Sequence, residues 1–182
     1  MSAQGKYAST AFEDTDAGRL LMNSVQYLAM ANLVIETDEF RRYPRKNNRP
    51  ILNTLAVGIE LLLKFAHVHC GSTVEAVASR YRHNIWKLWQ ECPDPALTHL
   101  VLEAAERSYA SALAQGLVNE PIADLPEQFC EAVRNLSTLH NTGGSQLRYL
   151  APAGVMATAP GWLTQAFYSV ADACLRRPPF GQ

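Results

Sequence analysis

Two spacings in this chain gather side chains that can hold charge and move protons. The first is Glu60 and Lys64, four residues apart within an apolar run. Glutamate four residues before lysine is the favourable order for an ion pair on one helix face, worth roughly 0.2–0.5 kcal/mol when exposed. Apolar neighbours place this pair partly out of water, so further polar partners must satisfy it. It reads either as a structural pair that fixes helix packing or as the charged floor of a ligand site. The second spacing is Arg134-Asn135-Leu136-Ser137-Thr138-Leu139-His140. A guanidinium can hold a phosphate and stabilise charge developing on it, and an imidazole, which titrates near about 6.5 in water, can carry protons. Six helical steps of about 100° leave Arg134 and His140 about 120° apart. His140 also shares a face with Phe129, Val133 and Leu136, so a core histidine is the competing reading.

Other charged and metal-capable residues are more diffuse. Residues 41–49 hold five cations, Arg41, Arg42, Arg45, Lys46 and Arg49, with Tyr43 among them. Such a segment can track a phosphate backbone and stack a base, or it can be a solvated loop. His83 precedes Asn84, a good N-cap, and can bond back to the bundle. His67-Val68-His69-Cys70 supplies three potential metal ligands. Residues two apart on a helix diverge, however, and no second ligand cluster completes a tetrahedral site, so no metal is expected. No cofactor is expected either. Gly143-Gly144 reads as a helix stop, since no strand precedes it and no Lys-Ser/Thr pair follows. Trp86 and Trp89, three apart, share a helical face and read as a core or interface plug.

The elements that must position these groups follow from periodicity and caps. The chain has 182 residues, 48% of them hydrophobic and 18% charged, enough for one domain with a sizeable core,. A formal net charge of -1 gives bulk electrostatics no preference for nucleic acid or an anionic membrane,. The polar first residues do not read as a signal peptide. Glu60, Lys64 and His67 interrupt the apolar run Leu55–Val68 and argue against a membrane span,. The four cysteines lack any CxxC pair and read as reduced, mostly buried thiols of a cytoplasmic protein,. A loose arm is expected at 1–13. A first helix should run from a cap at Asp14 or Thr15 to about Ile35, then a basic loop at 36–49. A helix apolar on nearly all sides should run from Pro50 to Cys70, ending at Gly71, and be central to its bundle. Ser72 and Glu75 suggest a capping box for a short helix over 73–79, and a second short one spans 84–91. Helix four is expected over Pro95–Ala114, with Leu97, Leu100, Val101, Ala104 and Ala105 inward and Gly116 as the stop. Helix five starts between Asp124 and Glu127 and finishes before Gly143. Residues 143–160 form a loop, and a last helix covers about Trp162–Arg176. Nothing alternates with period two over a strand's length. The expectation is all-α: an up-and-down bundle of four to five main helices with one or two short ones, in one domain.

Three stretches, in order, carry a family resemblance: Ile59-Glu60-Leu61-Leu62-Leu63-Lys64, Arg82-His83-Asn84-Ile85-Trp86-Lys87-Leu88-Trp89, and Leu147-Arg148-Tyr149-Leu150. Together they resemble the HEPN superfamily (higher eukaryotes and prokaryotes nucleotide-binding), small helical bundles widespread in bacteria. Its members show an E-L-x-L-K stretch, a G-H-D-L-x-x-L stretch and a late R-Y-P stretch. Here Arg82 stands for Gly, Asn84 for Asp and Leu150 for Pro. In the family's catalytic branch an Arg, four to six intervening residues and a His form a metal-independent ribonuclease site, composed where two copies meet in a homodimer. The resemblance thus implies that Arg134 holds phosphate, His140 transfers protons to and from a ribose 2′-hydroxyl and Asn135 orients them. Arg41, Arg42, Arg45 and Lys46 would contact the RNA backbone. Function is then a ribonuclease of toxin or defence type, partnered by RNA and by a cognate antitoxin or another protein. The alternative is a non-catalytic nucleotide- or protein-binding module using a pocket near Glu60, Lys64, His83, Arg148 and Tyr149.

Overall fold

The computed structural model describes residues 11–141 and 160–176, and every regular element among them is helical. A 3-10 turn at Phe12–Asp14 leads into α1 (Asp16–Ile35), α2 (Asp38–Arg42), α3 (Pro44–His69) and α4 (Val74–Tyr81), followed by α5 (Ile85–Gln90), α6 (Pro95–Ala114), α7 (Leu125–Asn141) and α8 (Pro160–Arg176). The all-α expectation holds. Among the described residues there are five long helices and three short ones, one more short element than expected.

Side-chain caps set most of the helix starts. Thr15 accepts from Gly18 N, Asn84 from Lys87 N and Asp94 from Ala96 N, each satisfying donors that a first turn leaves open,. The cap of α4 is Thr73, bonded to Ala76 N, rather than the expected Ser72. Gly71 (φ 98) and Gly116 (φ 68) take the left-handed conformation just beyond α3 and α6 and stop them as anticipated,.

Residues 36–49 depart from the expected basic loop. Thr37 caps α2 by accepting from Phe40 N, with Asp38 and Glu39 in its positive first turn,. Tyr43 (φ -130, ψ 57) breaks the helix for a single residue, and Pro44, not Pro50, then takes the first-turn position,. Pro50 lies inside α3. Arg41 and Arg42 thus sit exposed in the last turn of α2, while Arg45 and Lys46 stand in the first turn of α3 with side chains outside the described set. The arm expected at 1–13 is described only from residue 11, where the 3-10 turn replaces it, and of the 143–160 loop only Pro160 is described, opening α8.

Helix α3 is the hub: it packs against α1, α2, α4, α5, α7 and α8. Leu55, Ile59, Leu62 and Leu63 are fully buried, as are Leu21 and Leu28 of α1 and Phe129 and Phe167 of α7 and α8. Its stretch Arg49–His69 is long and apolar enough to cross a membrane (mean hydropathy 1.5), and 67% of that apolar window is buried inside the bundle. A central helix needs that composition with no lipid present. Close approach of α1 and α3 is built on Gly58. A Cβ there would meet Leu28 Cγ at 2.8 Å, and Ser24 Oγ donates to the Gly58 carbonyl at 2.8 Å. Leu100, expected inward, is exposed (43%), as is Leu33 of α1 (64%), because each flanks the buried stripe of its helix. The cysteines are all free, but only Cys174 is buried, and Cys70 lies exposed beyond α3.

Candidate functional site

Three elements meet around the Glu60 carboxylate. Glu60 projects from the middle of α3, His83 comes from the turn between α4 and α5, and His140 comes from the last turn of α7. His140 Nε2–H donates to Glu60 Oε2 at 2.7 Å, and His83 Nδ1–H donates to the same oxygen at 3.1 Å. Lys64 Nζ, one helical turn on, donates to Oε1 at 2.6 Å. Glu60 thereby gains the further partners that a mostly buried acid requires. Burial alone would push its carboxyl upward, but the bonds from His140 and Lys64, the Lys64 charge and the bond from His83 outweigh it and hold the group at about 2,. The carboxylate is therefore anionic throughout the neutral range.

The two imidazoles differ in access. The His83 side chain is 64% exposed and that of His140 only 3%. Their rings meet edge to face with centroids 5.6 Å apart. Because His83 directs Nδ1–H at the carboxylate, its neutral form presents a lone pair on Nε2. His140 also points Nε2–H at Glu60, and its Nδ1 is buried with no partner among the described residues.

The turn that carries His83 is tightly specified. Asn84 N donates to Tyr81 O at 2.9 Å, closing a four-residue turn whose second residue, Arg82, has φ 50 and ψ -110. Those angles suit glycine at the second position of a type II′ turn. Ser137 of α7 fixes the turn from the other side: its Oγ accepts from Trp86 N at 2.9 Å and donates to Asn84 Oδ1 at 3.3 Å. On the α4 and α5 side, Arg80 and the Tyr81 hydroxyl both donate to Glu91 Oε2.

Arg134 and His140 do not converge. His140 faces Glu60 in the core, as its shared face with Phe129 and Val133 suggested, whereas the exposed Arg134 lays its guanidinium 4.6 Å from the centre of the Trp86 ring. Asn135 is exposed on the same helix. The expected grouping of Glu60, Lys64 and His83 forms, while Arg148 and Tyr149 lie outside the described residues. Arg41 and Arg42 sit on α2, which packs on α1 and α3 and is not among the elements that build this centre. His67 is buried, bonded to the Leu88 carbonyl at 3.5 Å and packed on Tyr81; Trp89 is a core residue against Phe129 and Phe167. Sequence reasoning missed the Glu60–His140 bond and the latch role of Ser137.

No family model matches this chain, and neither does any curated protein or solved structure. Of the three short stretches singled out in the sequence, the first two meet at Glu60 and His83.

Proposed function

We propose that this protein binds RNA and cleaves it by imidazole-mediated proton transfer, with His83 as the group that meets the substrate. The observation that carries this reading is an exposed imidazole whose Nδ1–H is held by a buried, anionic carboxylate. A carboxylate so placed fixes the tautomer and orientation of a histidine and stabilises the imidazolium formed when Nε2 takes a proton. His140, bonded to the same oxygen from the buried side, acts as a positioning residue and not as the proton carrier that the family pattern implies. Arg134, resting on Trp86 three residues beyond His83, supplies a fixed cation for a phosphate, and the Trp86 ring offers a face against which a base can stack,. Each copy then contributes one exposed imidazole to this centre. Attack of the 2′-hydroxyl on phosphorus uses a base to take its proton and an acid to protonate the departing 5′-oxygen, so two copies meeting in a homodimer would supply the pair.

Purified protein incubated with total RNA tests the reading, beside His83→Ala, His140→Asn and Arg134→Ala. Wild-type cleavage that falls at least about 100-fold in His83→Ala supports it. Equal cleavage by the two, or none by the wild type at high concentration, overturns it. A second reading is favoured by the depth of His140: the centre would be a structural clamp in a non-catalytic nucleotide- or protein-binding module. Under that reading nucleotides raise the melting temperature without any cleavage.

A further inference from the structure

We propose that Glu60, His83 and His140 form a binding site for a divalent transition-metal ion of the zinc class. Binding is measured without RNA, so it is tested apart from the ribonuclease reading; the metal-bound state excludes the proton-transfer state, because coordination through Nδ1 leaves the His83 ring proton on Nε2. One ligand atom from each residue lies within 4.8 Å of the other two, and the atoms that face one another are Oε2 of Glu60, Nδ1 of His83 and Nε2 of His140. The two imidazole nitrogens already approach that oxygen at 3.1 and 2.7 Å. Zinc takes such ligands at about 2.0–2.2 Å in tetrahedral geometry, which sets neighbouring ligand atoms roughly 3.3 Å apart. The three atoms therefore stand near coordinating spacing before any ion enters, and the outward-facing His83 has room to complete it. The ligands come from α3, the α4–α5 turn and α7, so the scaffold of three packed elements, and not a flexible loop, sets the geometry.

The donor set selects the ion. Two imidazoles and one carboxylate suit zinc, cobalt, nickel or copper, whereas calcium and magnesium call for oxygen ligands throughout. Three protein ligands leave a fourth position for water on the exposed His83 side, the pattern of open zinc sites. Lys64 occupies Oε1 and leaves Oε2 for the ion, orienting the carboxylate as an outer partner,. Two features weaken binding. The Lys64 ammonium repels a dication, and coordination through His140 Nε2 moves the ring proton to Nδ1, which has no acceptor among the described residues. Micromolar affinity is expected, not the nanomolar affinity of a closed structural site.

The test uses the full chain stripped with a chelator and titrated with cobalt(II), then with zinc. One equivalent of cobalt should give the visible absorption of a tetrahedral site, zinc should displace it, and zinc should raise the melting temperature. His83→Ala, at a largely exposed side chain that leaves the metal-free fold intact, should weaken cobalt binding at least about tenfold. A His69→Ala, Cys70→Ser control should leave it unchanged. Absence of any spectrum or thermal shift at millimolar metal, or wild-type binding by His83→Ala, overturns the proposal. Loss of binding in the His69/Cys70 control also overturns it, by moving the site to the end of α3.

Discussion

At the scale of single residues, the one carboxylate of Glu60 serves three cationic or hydrogen-donating partners from inside the bundle. Its two oxygens receive Lys64 on one side and both imidazoles on the other. Removing the negative charge while keeping the shape separates the electrostatic part from the packing part. In Glu60→Gln the Lys64 ammonium, whose side chain is only 14% exposed, loses its counter-ion in a low-dielectric setting. The amide nitrogen also turns a donor toward one of the incoming donors. Breaking a buried pair in this way costs about 3–5 kcal/mol. Urea denaturation of Glu60→Gln should show that loss, and Glu60→Gln/Lys64→Met should recover part of it by removing the stranded charge. A loss under 1 kcal/mol would mean that water reaches the pair and that the cluster is far weaker than its geometry implies.

At the scale of elements, the α4–α5 hairpin shows why some structure is legible in a sequence and some is not. The cap at Asn84 and the short helices on either side follow from local rules, and so do the Pro95–Ala114 boundaries of α6 and the stops at Gly71 and Gly116. Residues 36–49 read as a loop because their polar composition, Pro44 and two asparagines imitate one. A surface helix needs only a cap such as Thr37 and a proline at its first turn such as Pro44. The meeting of Glu60 with His140 spans 80 residues and that with His83 spans 23. Helical phase places His140 on the core face, but no local signal names its partner. The hairpin also holds a conformation its sequence does not favour. Arg82, with φ 50, occupies a turn position where a Cβ is strained,. Arg82→Gly should therefore stabilise the fold by about 0.5–1 kcal/mol, the relieved strain exceeding the added freedom of the unfolded chain. A melting temperature raised by about 1–4 °C is the outcome to look for. A lowered one would show that the Arg82 side chain makes a compensating contact.

At the scale of the whole molecule, the buried ionisable groups predict how stability responds to acid, and the two that matter act in separate windows. His67 packs inside α3 against Tyr81 and bonds to the Leu88 carbonyl. Burial pushes its imidazole below the ordinary value of 6.5, and Arg80 adds to this, against the smaller pull of the Leu88 bond and Glu91. The unfolded chain therefore binds a proton near pH 6.5 that the folded chain refuses. Where the unfolded state holds more protons, stability falls as pH falls. Folding free energy should be level above about pH 7 and decline from about pH 6.5 down to the folded value of His67. Glu60 behaves as a depressed carboxylate: its contribution is complete above the ordinary value of 4.5 and is lost on descent from there to about 2. A plot of unfolding free energy against pH should thus bend twice. His67→Gln, which keeps a donor for the Leu88 carbonyl but cannot be protonated, should erase the upper bend and leave the lower one. If the upper bend persists in that variant, burial of the His67 imidazole is not its cause and the prediction fails.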